Sequence, residues 1–234
     1  DLTSDIVNEF PELQGIMGWY FASSQGFDKD ISLSISEHYL PTGLDSRVPR
    51  KPFSVALALT DKMDTLVGFF GINQKPTSSK DPYALRRSAL GIIRLFLENK
   101  KKFKISDLIN YSISLYKDQG FEFQNDNAQK ELSLFLIDRL KFYMKEKDIR
   151  HDIIEASINS FSIDHISKMY NKALALNKVI IKDVGNDIIV SYKRASNILE
   201  SELKNKELDL SNTTDSGIFK NDYEKNLYKK IQEL

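Results

Sequence analysis

Asp61 and Asp64, in "ALTDKMDTL", are the strongest polar feature set inside an apolar stretch. On a helix, a spacing of three puts both carboxylates on one face. Flanked by Ala58, Leu59, Leu66 and Val67, such a pair could hold a divalent cation or act as an acid–base couple. The competing expectation is structural, with the pair capping or bridging to the basic residues Arg47, Arg50, Lys51 and Lys80. His38, in "SEHYLP", could complete a metal set with the aspartates. A lone histidine near a helix end equally suits a hydrogen-bonded structural role.

Two groups of cations stand apart from these acids. Arg86 and Arg87 follow Lys80 in "SSKDPYALRRSALGIIRLF". Neighbouring positions on a helix diverge by roughly 100°. One arginine is therefore expected to reach inward to Asp61 or Asp64, and the other to face out toward RNA or a subunit. The second group is in "YKRASNIL", where Lys193, Arg194 and Asn197 share a helix and Arg194 and Asn197 share a face. Tyr143, Tyr170 and Tyr192 could stack on unpaired bases. The run from Arg139 to Arg150 is interleaved with Asp138, Glu146 and Asp148, and reads as a solvated charged face.

Other chemistries find no pattern. There is no nucleophile elbow, no phosphate-cradling glycine loop and no dinucleotide fingerprint; "GFFGINQKPTSSK" lacks the required spacing and ending. Cysteine is absent, which excludes disulfides and Cys-based zinc sites and agrees with a reducing compartment. Acidic and basic residues balance at 33 each, so any nucleic-acid contact must come from a local basic patch. No apolar run is long enough to span a bilayer. The 234 residues allow one large domain or two small ones with a real core.

The elements that must position these residues read as helices throughout. "LTSDIVNEF" is interrupted by Pro11, and "ELQGIMGWYFASSQG" continues as helix, with Gly15 and Gly18 letting another helix come close. Ile31, Leu33 and Ile35 alternate like a strand, yet Ile31, Ile35 and Tyr39 fit a helical stripe, and helix is expected. Pro52 opens a long apolar helix to about Gly71. Asp81 is expected to cap the next helix with Pro82 in its first position; Gly91 and Arg94 interrupt its apolar run. "KKKFK" ends that helix, and a domain boundary is expected there, giving units 1–103 and 104–234. Further amphipathic helices follow, then a mobile segment near 206–217, then a closing helix in "NDYEKNLYKKIQEL". The chain opens on Asp1 in what reads as mid-helix, so an internal fragment of a longer chain is expected.

"EFPELQGIMG", "EHYLP", "LTDKMDTLVGFFGI", "PTSSKDPYALRRSALGIIRL" and "YKRASNIL", in this order, resemble the β subunit of bacterial-type tetrameric glycyl-tRNA synthetase. The resemblance implies an all-α fold: a degenerate HD-like helical domain, then part of a helical anticodon-binding domain. It implies a tRNA-binding, non-catalytic part of a cytoplasmic ligase. In that family glycine is attached to tRNA(Gly) at a separate α subunit, which uses ATP and Mg, in an assembly of two α and two β chains. No cofactor is expected in this fragment and no membrane partner. Lys193, Arg194 and Asn197 are the expected RNA-binding positions, with Arg86, Arg87 and Lys80 in support; Tyr192 departs from the family's usual small polar residue. Asp1 resembles the Asp of an HD signature pair and Asp61 its last Asp, while the metal-binding histidines are not visible. Two alternatives stay open: a metal-dependent HD-type phosphohydrolase using Asp1, His38, Asp61 and Asp64, and a scaffold docking the α subunit through Gly15, Gly18 and Trp19.

Overall fold

The computed structural model describes residues 3–100, 104–159, 162–205, 217 and 219–233. Among them the fold is all-α, with no strand. Helix α1 (Asp5–Glu9) is capped by Ser4, whose hydroxyl accepts from the Val7 amide, and gives way at Pro11 to a 3-10 turn, Pro11–Leu13. Helix α2 (Ile16–Ser24) starts behind Gly15, whose φ is 81°. A Cβ there would lie 3.2 Å from the Tyr39 ring and 3.3 Å from the Ser36 carbonyl, so the glycine permits the close approach to α3 (Lys29–Glu37). The strand-like alternation of 31–35 is helical here. The buried positions of α3 are Ser32, Ser34 and Glu37, and Arg47 pairs with Glu37 at 3.1 Å.

Helix α4 (Pro52–Gly71) opens on its proline and is the spine of the fold. It packs on α3, on α5 (Leu85–Glu98), on α6 (Ile105–Asp118) and on α7 (Ala128–Lys145). Ala58 and Leu66 of α4, Ala89, Ile92 and Ile93 of α5, and Leu136 and Leu140 of α7 are fully buried. Each such Leu or Ile contributes about 1.5–3 kcal/mol relative to exposure. Helices α8 (His151–Ile158) and α9 (Ile166–Ile180) follow, with a 3-10 turn, Ile163–His165, between them. The Asp164 carboxylate of that turn accepts from the Ser106 amide (2.9 Å) and hydroxyl (3.0 Å), pinning the start of α6.

The polar interruption of α5 is satisfied internally. Arg94 is buried, donates to Glu98 at 2.8 and 2.9 Å, and also reaches the Gly43 carbonyl. Glu98 in turn accepts from Arg50 at 3.0 Å. The loop between α3 and α4 is thereby tied to α5.

Two compact units result, residues 1–179 and 180–234. The boundary expected at 103/104 falls inside the first, where α4 and α5 pack against α6 and α7. The second holds α10 (Asp183–Asn205) and α11 (Asp222–Gln232), the latter opened by a capping box between Asn221 and Glu224. The segment expected to be mobile, 206–217, lies outside the described residues apart from Gly217. No described helix is long and apolar enough to cross a membrane.

Candidate functional site

The residue between the two aspartates organises the site. On α4, positions 58, 59, 62, 63 and 66 form one buried stripe, and Lys62 lies within it at 5% exposure. Its ammonium donates to the carbonyls of His38 (2.8 Å) and Tyr39 (3.1 Å). These carbonyls lie just past the end of α3, where backbone acceptors lack helical partners and the helix dipole is negative. The lysine stem runs over Gly91 of α5. A Cβ there would come 2.8 and 2.9 Å from the stem carbons, so the glycine makes room for it. Burial pulls the ammonium pKa down to about 8, and the Asp61 charge opposes that fall.

Beside Lys62 is a polar cavity of about 420 Å³, bordered by Ser36, Thr42, Asp61, Arg87 and Ser88. Arg87 and Asp61 both reach it, yet no ion pair joins Arg86 or Arg87 to Asp61 or Asp64 among the described residues. The expected lock between α4 and α5 is therefore not formed by these groups. Arg86 turns the other way. It donates to the Thr77 carbonyl and lies 3.9 Å from the Asp81 carboxylate.

That arrangement follows from where α5 begins. Asp81 does cap the helix, accepting from the amides of Leu85 (2.8 Å) and Arg86 (3.0 Å). The helix starts at Leu85 rather than Pro82, because residues 82–84 form a turn with Ala84 left-handed at φ 53°. The turn before the helix places the Thr77 carbonyl and the Asp81 carboxylate within reach of Arg86, while Arg87 borders the cavity that Asp61 also borders. Lys80 is exposed in the preceding loop.

The alternative metal set is dispersed. The His38 Nδ1–H donates to the Ile35 carbonyl at 2.6 Å, and the ring packs on Tyr39 with centroids 3.9 Å apart. Asp61 borders the polar cavity, whereas Asp64 borders a separate, aromatic one of about 320 Å³. Asp1 lies outside the described residues. Among the described residues no three His, Cys, Asp or Glu side chains gather as a metal site.

In the second unit, Lys193, Arg194 and Asn197 are exposed on α10, and Tyr192 is 73% exposed. Of the three tyrosines expected to offer stacking faces, Tyr143 is buried and packs on Tyr170 with centroids 5.8 Å apart. Arg139 is also covered, lying over the rings of Phe135 and Phe142, so the 139–150 run is only partly a solvated face.

A sequence model of the family described as "Glycyl-tRNA synthetase beta subunit" matches residues 1–159. The chain belongs to the glycyl-tRNA synthetase β-subunit family. It is 40% identical to the glycine–tRNA ligase β subunit of Rickettsia canadensis and 41% identical to that of Rickettsia africae, in both cases over 100% of this chain and 33% of the relative. Against the glycine–tRNA ligase β subunit of Cereibacter sphaeroides it is 37% identical over 99% of this chain and 33% of the relative. The chain thus spans about a third of the length of these β subunits. The Lys62 cavity falls within the stretch matched by the family model. The α10 cations lie beyond that stretch but inside the alignments with the relatives.

Proposed function

We propose that this chain is a tRNA-binding, non-catalytic part of a cytoplasmic glycyl-tRNA synthetase β subunit. It supports ATP- and Mg-dependent attachment of glycine to tRNA(Gly) at a separate α subunit, in an assembly of two α and two β chains. The observation that carries this reading is the cation pair Lys193–Arg194, exposed on α10 beside Asn197 and Tyr192, in a chain of this family. Exposed cations suit phosphates, and an exposed tyrosine offers a face to an unstacked base. Arg86 is engaged by the Thr77–Asp81 loop, and the two cations named with it, Arg87 and Lys80, are exposed. An HD-like ancestry for the α1–α5 region is part of the same proposal.

The test is binding of labelled tRNA(Gly) to the chain across a salt series. Each lost phosphate contact lowers the slope of log K against log salt by about 0.7–0.9. Lys193→Ala/Arg194→Ala is expected to reduce that slope by about 1–2 and to weaken binding most at low salt. An unchanged slope would move the RNA surface away from α10.

A second reading is favoured by a separate observation. Helix α2 is apolar on every side, and Ile16, Trp19, Tyr20 and Phe21 are all at least 38% exposed. A cluster of that kind marks a contact surface, which suits docking of the α subunit. Co-purification with α in the absence of tRNA, lost on Trp19→Asp, would establish it. The phosphohydrolase alternative has less support, since His38 is engaged by Ile35 and the two aspartates border different cavities.

A further inference from the structure

The geometry points to the aromatic cavity at the C-terminal end of α4 as a docking pocket for an arginine or lysine side chain of a partner polypeptide. Its walls are Phe69, Tyr116, Phe121 and Phe123, and among the described residues the charged groups that line it are Asp64 and Glu122. Among the described residues neither carboxylate forms an ion pair, and no Lys, Arg or His lines the cavity. The inference is independent of any role for α10.

The pocket is shaped by glycine. A Cβ at Gly68 would lie 2.5 Å from the Tyr116 hydroxyl, and one at Gly71 would lie 2.0 Å from the Phe123 ring. The two glycines let both rings press directly on α4. Tyr116 then stands edge-to-face with Phe121 and Phe123, at centroid distances of 5.6 and 5.8 Å. Its hydroxyl donates to the Asp64 carbonyl at 3.2 Å. Burial first, and then the Asp64 charge, push its pKa up to about 12, so the phenol remains neutral.

Aromatic walls with two carboxylates and no cation are complementary to a group that is positive at its tip and apolar along its stem. Arginine and lysine side chains are built that way. Aromatic faces attract the cation, and a carboxylate adds a charge-assisted hydrogen bond. An RNA phosphate would meet two negative charges here. The rim continues in apolar residues, with Phe121 at 55% and Ile72 at 38% exposure and Tyr83 stacked on Phe69. That margin gives the residues flanking a docked cation something to rest on, which favours a polypeptide over a free amine.

The probe is N-acetyl-arginine methylamide, titrated into the isotopically labelled chain and followed by the amide NMR signals of Gly68, Gly71 and Phe123. Saturable shifts in the millimolar range are expected. The citrulline analogue, of the same shape without charge, is expected to bind at least about tenfold more weakly. Asp64→Asn/Glu122→Gln should weaken arginine binding by a similar factor, and both carboxylates are exposed enough for the fold to tolerate the change. Equal binding of arginine and citrulline analogues would overturn the proposal in favour of a plain apolar slot. So would an absence of shifts, or shifts at these amides produced by an oligoribonucleotide instead.

Discussion

Asp61 and Asp64 are one turn apart on the same helix, and their surroundings differ in almost every physical respect. Asp61 borders a polar cavity that also receives Lys62, Arg87 and the hydroxyl residues Ser36 and Ser88. Asp64 borders a cavity of four aromatic rings whose other charge is a second carboxylate. The difference is made by what packs alongside. On the Asp61 side, α3 ends in carbonyls that draw a lysine inward, and Gly91 of α5 leaves space for its stem. On the Asp64 side, Gly68 and Gly71 admit rings from the end of α6 and the turn after it. Proximity on a helix therefore says little about shared chemistry when the two neighbourhoods are built by different elements.

The contrast can be broken most severely at the glycines. Gly71→Ala drives a Cβ into the Phe123 ring, so the ring or the turn that carries it must shift, and is expected to cost about 2–3 kcal/mol. Gly91→Ala meets the flexible stem of Lys62, so its cost should be nearer 1 kcal/mol. Urea unfolding of the two variants compares the sites directly. Equal costs would mean that the aromatic side yields as easily as the lysine.

Lys62 allows the next test. Its folded-state pKa of about 8 lies below the unfolded 10.5. Below pH 8 both states hold the proton and the charged burial penalty is complete. Between pH 8 and 10.5 the unfolded chain binds more protons, so this residue's contribution to stability rises with pH, by about 1.4 kcal/mol per unit at most. Lys62→Met removes that slope and leaves the His38 and Tyr39 carbonyls without their donor, at about 1–3 kcal/mol. Wild type minus variant, measured at pH 7 and pH 9, should grow with pH; a constant difference would mean that the lysine does not titrate in this window.

The smallest expected effect separates two adjacent arginines. Arg86→Ala loses the bond to the Thr77 carbonyl and is expected to cost about 1 kcal/mol. Arg87→Ala, exposed at the rim of the Lys62 cavity, should stay within about 0.5 kcal/mol in stability. If the tRNA reading holds, only Arg87→Ala lowers the salt slope of tRNA binding. A reversed pattern would mean that the positions of the two side chains have been exchanged.

Most helices were legible because their apolar residues recur at helical spacing, as in the 58–59–62–63–66 stripe of α4. The same spacing carried information about Lys62 that its charge concealed, since a lysine inside a buried stripe must find acceptors. Nothing local located those acceptors, because they belong to the end of α3 more than twenty residues earlier. The start of α5 was misplaced for a comparable reason. Asp-Pro is a strong local start signal, but Asp81 caps from a distance, across a turn that the signal does not describe. Tyr143 could not be assigned to the interior by type alone, since tyrosine serves equally well in a core or at a surface. Lys193, Arg194 and Asn197 lie on a helix, as their spacing suggests, and are exposed there; their role toward RNA rests on the proposal above.

The turn before α5 also bears on motion. Ala84 adopts φ 53°, a conformation that costs an L-residue roughly 1–2 kcal/mol. Asp81 holds it there by binding two amides of the helix that follows. If that carboxylate lets go, the strain is released as the first turn of α5 unravels. Opening of this corner would take Arg86 and Arg87 with it, and burial of Leu85 at the start of the helix opposes it. The strained corner thus sits at the base of the two adjacent arginines, between an exposed loop and the apolar stretch from Ala89 to Phe96 buried in the core.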